Sequence, residues 1–229
     1  MGYLIYALIT SVATIVGGLL PLQARFKRLD SRYLVGFAAG AMISIAFFEM
    51  MPEIMPANLA ALGLGFFSIY IIEKFIMIHT CGEAECESHT IGGAALIGIA
   101  MESLVDGIAI AVGYRISPAL GIGIAMAVLI HELPRGFATT VIMKNANYRL
   151  RTIFIALAID AGFTPLGALS SGLFSEGLFK NIIAFAAGTF LYVGASDLLP
   201  EAHKRFNIKV VFSVILGVAL VLILGLWTI

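Results

Sequence analysis

The sequence predicts an all-α integral membrane protein: eight transmembrane helices, with spans 1–3 and 6–8 forming an inverted repeat around spans 4–5. Three observations lead there. Of 229 residues, 60% are hydrophobic and only 12% charged, about half the ~25% charged content of soluble domains. Mean hydropathy is +1.02, too high for a soluble chain of this length to hide its apolar surface. The apolar residues fall in blocks of roughly 18–25, the length a helix needs to cross a bilayer. The period-two alternation of a barrel strand is absent, which leaves helices as the spanning element.

The spans are expected at Tyr3–Leu20, Tyr33–Met51, Leu59–Ile78, Ile91–Gly113, Ala119–Met143, Thr152–Leu173, Ile182–Leu199 and Val210–Ile229. Together they make residues 1–229 one transmembrane transporter domain. Span 1 lacks a basic leader and flows into a full crossing, so no cleavable signal peptide is expected. Lys and Arg set the orientation. Arg25, Lys27, Arg28 and Arg32 follow span 1; Lys144, Arg149 and Arg151 follow span 5; Lys204, Arg205 and Lys209 follow span 7. The opposite side carries only Arg115 and Lys180. Odd-numbered loops are therefore read as cytoplasmic, and both termini as extracytoplasmic. A multi-pass protein of the inner or plasma membrane is expected, with the lipid bilayer as its surroundings and nucleic acid excluded as a partner.

Spans 2 and 7 repeat one pattern. Gly36-Phe37-Ala38-Ala39-Gly40, Glu49 and Pro52-Glu53 return, at one constant offset, as Ala184-Phe185-Ala186-Ala187-Gly188, Asp197 and Pro200-Glu201. Span 2 runs outward and span 7 inward, so the repeat is inverted, as in many transporters with a midplane substrate site. Gly36 and Gly40 permit close helix packing. Chance similarity between apolar helices is the competing explanation.

The cytoplasmic loop 79–90 holds His79, Cys81, Cys86 and His89 among three glutamates. It reads either as a weak trap for thiophilic cations or as a solvated acidic loop. Its spacing fits no standard zinc site.

Span 4 carries Met101-Glu102-Ser103-Leu104-Val105-Asp106-Gly107. Glu102 and Asp106 are one helical turn apart and share a face. A central carboxylate costs roughly 2.5–3.5 kcal/mol to insert, so two on one face call for a proton or a cation. Span 5 supplies His131, Glu132 and Arg135, with Pro134 expected to loosen the helix beside them. Three carboxylates against one arginine suit one divalent cation. Imidazole with carboxylates suits Zn²⁺, Fe²⁺ or Mn²⁺, with no sulfur to select Cu(I). The competing reading of Arg135 is a simple buried bridge to Glu132 or Glu102, but buried pairs stabilise weakly and do not explain four gathered charges. Asp160 in span 6 lies one turn from Thr164 and either reaches this cavity or serves a proton path.

These stretches resemble the ZIP family of divalent metal transporters. Glu102-Ser103-Leu104-Val105-Asp106-Gly107 is similar to the family's His-(Asn/Ser)-x-x-(Asp/Glu)-Gly, and His131-Glu132-Leu133-Pro134 to its His-Glu-x-Pro. The segment Phe185-Ala186-Ala187-Gly188-Thr189-Phe190-Leu191-Tyr192 with Asp197-Leu198-Leu199-Pro200-Glu201 resembles its seventh helix, and Thr164-Pro165-Leu166-Gly167-Ala168 its sixth. The resemblance implies inward metal movement, a two-metal site between spans 4 and 5, and a homodimer in some members. It implies Glu102, Asp106 and His131 as ligands of the primary metal, with Ser103 and Glu132 at the second. The chain departs from the pattern at Glu102 (usually His), at Arg135 (commonly Glu or His) and at Thr164 (Glu in many bacterial members). A guanidinium at the second position repels a cation, so one metal is expected, with Arg135 standing in for the other charge. Zinc is the first candidate, then Fe²⁺, Mn²⁺ or Cd²⁺. Glu for His hardens the site and tilts it toward manganese or iron. Glu49 and Asp197, with Glu53 and Glu201 beside them, are read as a cytoplasmic exit path, the alternative being interfacial caps.

An intramembrane metalloprotease needs His-Glu-x-x-His, and Arg135 occupies the fifth position, so no enzyme is expected. Two alternatives stay open: a proton-coupled carrier of another solute, and a family member that senses metal without moving it.

Overall fold

In the computed structural model, the described residues are 2–23, 31–54, 58–81, 93–145 and 147–228. They are helical, with no strand among them. The helices are α1 Gly2–Leu19, α2 Ser31–Ile45, α3 Met51–Ile54, α4 Leu59–Cys81, α5 Gly93–Ile116, α6 Pro118–Asn145, α7 Leu150–Ser170, α8 Phe179–Tyr192, α9 Leu199–Ala202 and α10 Ile208–Thr228. Five stretches have the length and apolarity that crossing a bilayer requires: Gly2–Leu22, Arg32–Ile54, Pro118–Val141, Leu150–Leu173 and Glu176–Ala202. Helices α4, α5 and α10 match them in length, at 23, 24 and 21 residues. This is an all-α membrane protein. Of the expected loop ligands, Cys86 and His89 lie outside the described residues, as do the side chains of His79 and Cys81.

Short connections set the order of the helices. Ser117 alone joins α5 to α6; its hydroxyl accepts from the Leu120 N–H at 3.1 Å, and Pro118 starts the helix where no N–H is needed. Asn147, with φ 60°, turns α6 toward α7. The Tyr148 N–H reaches back to the Met143 carbonyl and the Asn147 N–H to Lys144, the pattern of a Schellman C-cap.

The helices pack chiefly in four pairs: α1 on α6, α5 on α7, α2 on α10 and α4 on α8. Apolar lipid tails give no hydrophobic drive for such pairing, so close backbone approach must supply the attraction. Each pair achieves it with two reciprocal glycines. A Cβ on Gly17 would strike the Leu133 carbonyl, and one on Gly136 that of Thr14; Gly107 and Gly167 face the carbonyls of Thr164 and Leu104. Gly40 and Gly217 do the same between α2 and α10, as do Gly65 and Gly188 between α4 and α8.

Two helices change winding near their ends. Between α2 and α3 lies a π turn, Ala46–Met50, closed by the Met51 N–H on the Ala46 carbonyl. Between α8 and α9 lies another, Val193–Leu198, closed by Leu199 on Gly194. Each precedes a proline, Pro52 or Pro200, that has no N–H to give the ladder, and each holds one acidic residue of the repeat, Glu49 or Asp197. The sequence reading put the irregularity elsewhere, at Pro134. In fact α6 runs unbroken through Pro134.

The buried polar side chains are concentrated where α1, α5, α6 and α7 meet: Thr10, Thr14, Ser103, Asp106, His131, Glu132, Asp160 and Thr164. Polar groups in spanning helices turn to the bundle interior, and that meeting line positions the site.

Candidate metal centre

The site starts from helical spacing. Helix α5 presents Glu102 and Asp106 one turn apart, and α6 presents His131 opposite them. One ligand atom from each of the three lies within 4.8 Å of the other two. Asp106 and His131 are buried.

The imidazole's hydrogen bonding gives the group its chemistry. His131 Nδ1 lies 3.1 Å from the Ala127 carbonyl. A carbonyl only accepts, so Nδ1 carries the proton and Nε2 a lone pair in neutral histidine. That lone pair faces Asp106 Oδ2 at 3.2 Å. Two acceptors at that distance need a cation or a second proton between them. A histidine whose other nitrogen is anchored to a carbonyl is the usual arrangement of a metal ligand. The Phe190 ring sits edge-on to the imidazole, centroids 5.9 Å apart, and limits its rotation.

Arg135 lies one turn past His131 and spreads over the neighbouring acids. Its Nη1 is 3.1 Å from Glu102 Oε1 and 3.7 Å from Asp106 Oδ2. Its Nη2 is 2.9 Å from Asp160 Oδ1, donates to Ser103 Oγ at 2.6 Å, and pairs closely with Glu132 Oε1. The other Glu132 oxygen accepts from the Thr14 hydroxyl. Ser103 Oγ donates to Asp160 Oδ1 at 2.5 Å.

The expected site residues thus divide. Glu102, Asp106 and His131 converge on one point. Ser103, Glu132 and Asp160 surround the guanidinium. Thr164 is buried one turn beyond Asp160. Glu201 is exposed and paired with Lys204 at 2.6 Å, and Glu53 is half-buried in α3; neither reaches the cluster.

Glu49 and Asp197, both expected along one exit path, lie toward different ends of the helices around the candidate centre. The Glu49 carboxylate rests against Gly123 near the start of α6, at the end where Ser117 joins α5. Helix α8 begins at that same end, with Phe179 under Arg115 at 4.5 Å. It passes His131 at Phe190 and reaches Asp197 beyond.

Sequence reasoning missed three residues. Glu73, in α4, accepts from the Tyr192 hydroxyl at 2.7 Å and lies within hydrogen-bond reach of Asp197. An acid inside an apolar span was its signal. Thr14 had a weaker one, the Thr10-Ser11-Thr14 face of α1. Phe190 had none.

A family model described as ZIP zinc transporter matches residues 77–225. Rat metal cation symporter ZIP8 is 30% identical over 134 residues, 57% of this chain and 29% of its own length. ZIP14 of Xenopus tropicalis, also a metal cation symporter, is 29% identical over 45% of this chain and 23% of itself. Zinc transporter ZIP6 of Pongo abelii is 27% identical over 49% and 16%. The chain therefore spans less than a third of these relatives' length. The matched family model covers more than half of the chain, including both helices of the candidate metal centre, and the chain belongs to the ZIP zinc transporter family.

Proposed function

We propose that the protein carries divalent transition metals across the membrane toward the cytoplasm, one ion at a time, through Glu102, Asp106 and His131. The observation that carries this reading is the convergence of ligand atoms of Glu102, Asp106 and His131 within 4.8 Å of one another, with His131 Nε2 3.2 Å from Asp106 Oδ2 and Nδ1 3.1 Å from the Ala127 carbonyl. Oxygen and imidazole donors suit zinc first, and Fe²⁺, Mn²⁺ or Cd²⁺ after it. Four carboxylates (Glu102, Asp106, Glu132 and Asp160) meet one guanidinium here. One divalent ion and one proton neutralise what the guanidinium leaves, which favours a single metal. The relatives' printed names, metal cation symporter and zinc transporter, agree with metal as cargo.

The eight-span architecture belongs to the same proposal: residues 1–229 as one transporter domain, termini outside the cytoplasm, in the inner or plasma membrane. The inverted repeat is supported by helix pairing. Exchanging the first three spans with the last three, and α5 with α6, maps the α1–α6 pair onto α7–α5 and the α2–α10 pair onto α8–α4. Glu49 then serves as an entry carboxylate, and Asp197 with Glu73 as the release side. Carriage is favoured over hydrolysis because Arg135 stands where a protease needs its second histidine.

One observation favours a second reading. Arg135 reaches both Glu102 and Asp106, as a plug in a metal sensor would. Uptake of Zn²⁺, Fe²⁺ and Mn²⁺ into liposomes holding the purified chain separates the two. Flux lost in Asp106→Ala supports carriage. Binding without flux for any metal supports sensing.

A further inference from the structure

We propose that the groove where α2 meets α10 binds one anionic phospholipid, with its phosphate on Lys209 and Tyr33 and an acyl chain lying along α10. This site is separate from the metal centre, and the inference goes beyond the transport reading.

The groove follows from helical spacing. Lys209, Phe212, Ser213, Leu216 and Ala219 recur at steps of three and four residues, one stripe of a helix. They line a cavity of about 520 Å³, closed at one end by Tyr33 of α2. Phe212 and Leu216 are exposed, so the groove opens to the outside of the bundle. The Ser213 hydroxyl donates to the Val210 carbonyl at 2.7 Å and adds no free donor. Beyond Lys209 and Tyr33 the lining therefore behaves as apolar.

Length selects an acyl chain. From Lys209 to Ala219 the helix rises about 15 Å. Half of a ~30 Å hydrocarbon core is the same distance. The groove thus runs from headgroup level to the midplane, the reach of one lipid tail in one leaflet.

Charge selects the headgroup. Lys209 has no ion-pair partner among the described residues. The nearby acid in sequence, Glu201, is already held by Lys204 at 2.6 Å, and Arg205 is exposed. The Tyr33 hydroxyl accepts from Asn207 Nδ2 at 3.1 Å, which leaves its own hydrogen to donate. Asn207 Oδ1 accepts the Lys209 N–H at 3.0 Å, so one side chain fixes Tyr33 against the start of α10. An ammonium and an O–H donor at the end of an apolar groove suit a phosphate whose charge no headgroup cation neutralises. Basic pockets between spanning helices recognise anionic lipid in this way. A second copy of the chain fits less well. In the same bilayer it would present the same basic end at the same depth, which gives Lys209 no opposite charge.

The test is lipid retention by the purified full-length chain, read by native mass spectrometry after extraction from vesicles of phosphatidylglycerol and phosphatidylcholine in equal amounts. Wild type is expected to keep one phosphatidylglycerol in preference to phosphatidylcholine. Lys209→Gln should cut that preference about fivefold, the worth of one basic group near an anionic surface, and Lys209→Arg should keep it. Ala219→Trp fills the groove and should lower retention of the lipid. Lys180→Gln, at an exposed residue at the far end of α8, is the control and should change nothing. No preference in wild type, or an equal preference in Lys209→Gln, overturns the proposal. Retention that Ala219→Trp leaves intact also overturns it, because the lipid then lies elsewhere. A lipid-free dimer that Ala219→Trp breaks overturns it in favour of a second copy. All these outcomes are read without metal, so none depends on the transport reading.

Discussion

His131 Nε2 faces Asp106 Oδ2 at 3.2 Å while Nδ1 is held on the Ala127 carbonyl. Two electron-rich atoms are thus aimed at each other inside the bundle. Removing either should lower metal affinity by at least the ~10–100-fold that the loss of a mere supporting partner costs. Asp106→Asn keeps the shape and half the donors, so its loss should be the smaller. Titration of zinc into the purified variants checks this; unchanged affinity in His131→Ala would remove the imidazole from the ligand set.

Glu102 contributes a hard oxygen where the family commonly has an imidazole. Glu102→His should shift preference toward zinc over manganese, since imidazole suits later transition metals better than carboxylate does. Competition uptake with both metals present measures the shift. An unchanged ratio would mean that Glu102 does not touch the ion.

Glu49 and Asp197 are equivalent in the repeat yet lie toward different ends of the helices around the candidate centre. Their substitutions should therefore differ in kind. Glu49→Ala is expected to raise the metal concentration needed for half-maximal uptake, a capture defect. Asp197→Ala should chiefly lower the maximal rate, a release defect. Identical kinetic changes, or unchanged flux in the double variant, would count against separate entry and release roles.

The reciprocal glycines set the spacing of the helices that hold the ligands. Gly107→Ala would press its Cβ onto the Thr164 carbonyl, and overpacking of this kind costs about 1–3 kcal/mol. Thermal unfolding in detergent should register the loss. Gly63→Ala, where nothing lies within 4 Å, is the control and should leave the transition in place.

Thr14 holds Glu132 from outside the two ligand helices. Thr14→Val keeps the volume but leaves a buried carboxylate oxygen without its donor, a cost of about 1–3 kcal/mol. Thr14→Ser should recover most of that stability. If Val and Ser behave alike in thermal unfolding, the hydroxyl is not what matters.

Much of this was legible from spacing alone. Glu102 and Asp106 at i, i+4, with His131 on the next apolar run, could hardly be buried on one face without a shared guest. Arg135 beside them signalled that part of the charge was already balanced. Other features depend on tertiary geometry that a linear pattern does not carry. The partition of Ser103, Glu132 and Asp160 around Arg135 needs the rotation of α7 against α5, fixed by Gly107 and Gly167. The π turns at Glu49 and Asp197 follow from prolines whose effect sequence reasoning assigned to Pro134 instead. Glu73 meets Asp197 only because α4 and α8 are antiparallel neighbours. Phe190 gave no sign of facing His131 among so many apolar residues.

The most direct measurement is zinc K-edge absorption on the zinc-loaded chain, with His131→Ala alongside. The expected result is one imidazole nitrogen with oxygen ligands at about 2.0–2.2 Å, no sulfur, and loss of the imidazole signal in the variant. A sulfur shell near 2.3 Å, or a spectrum that His131→Ala leaves unchanged, would place the metal elsewhere and contradict a centre built on Glu102, Asp106 and His131.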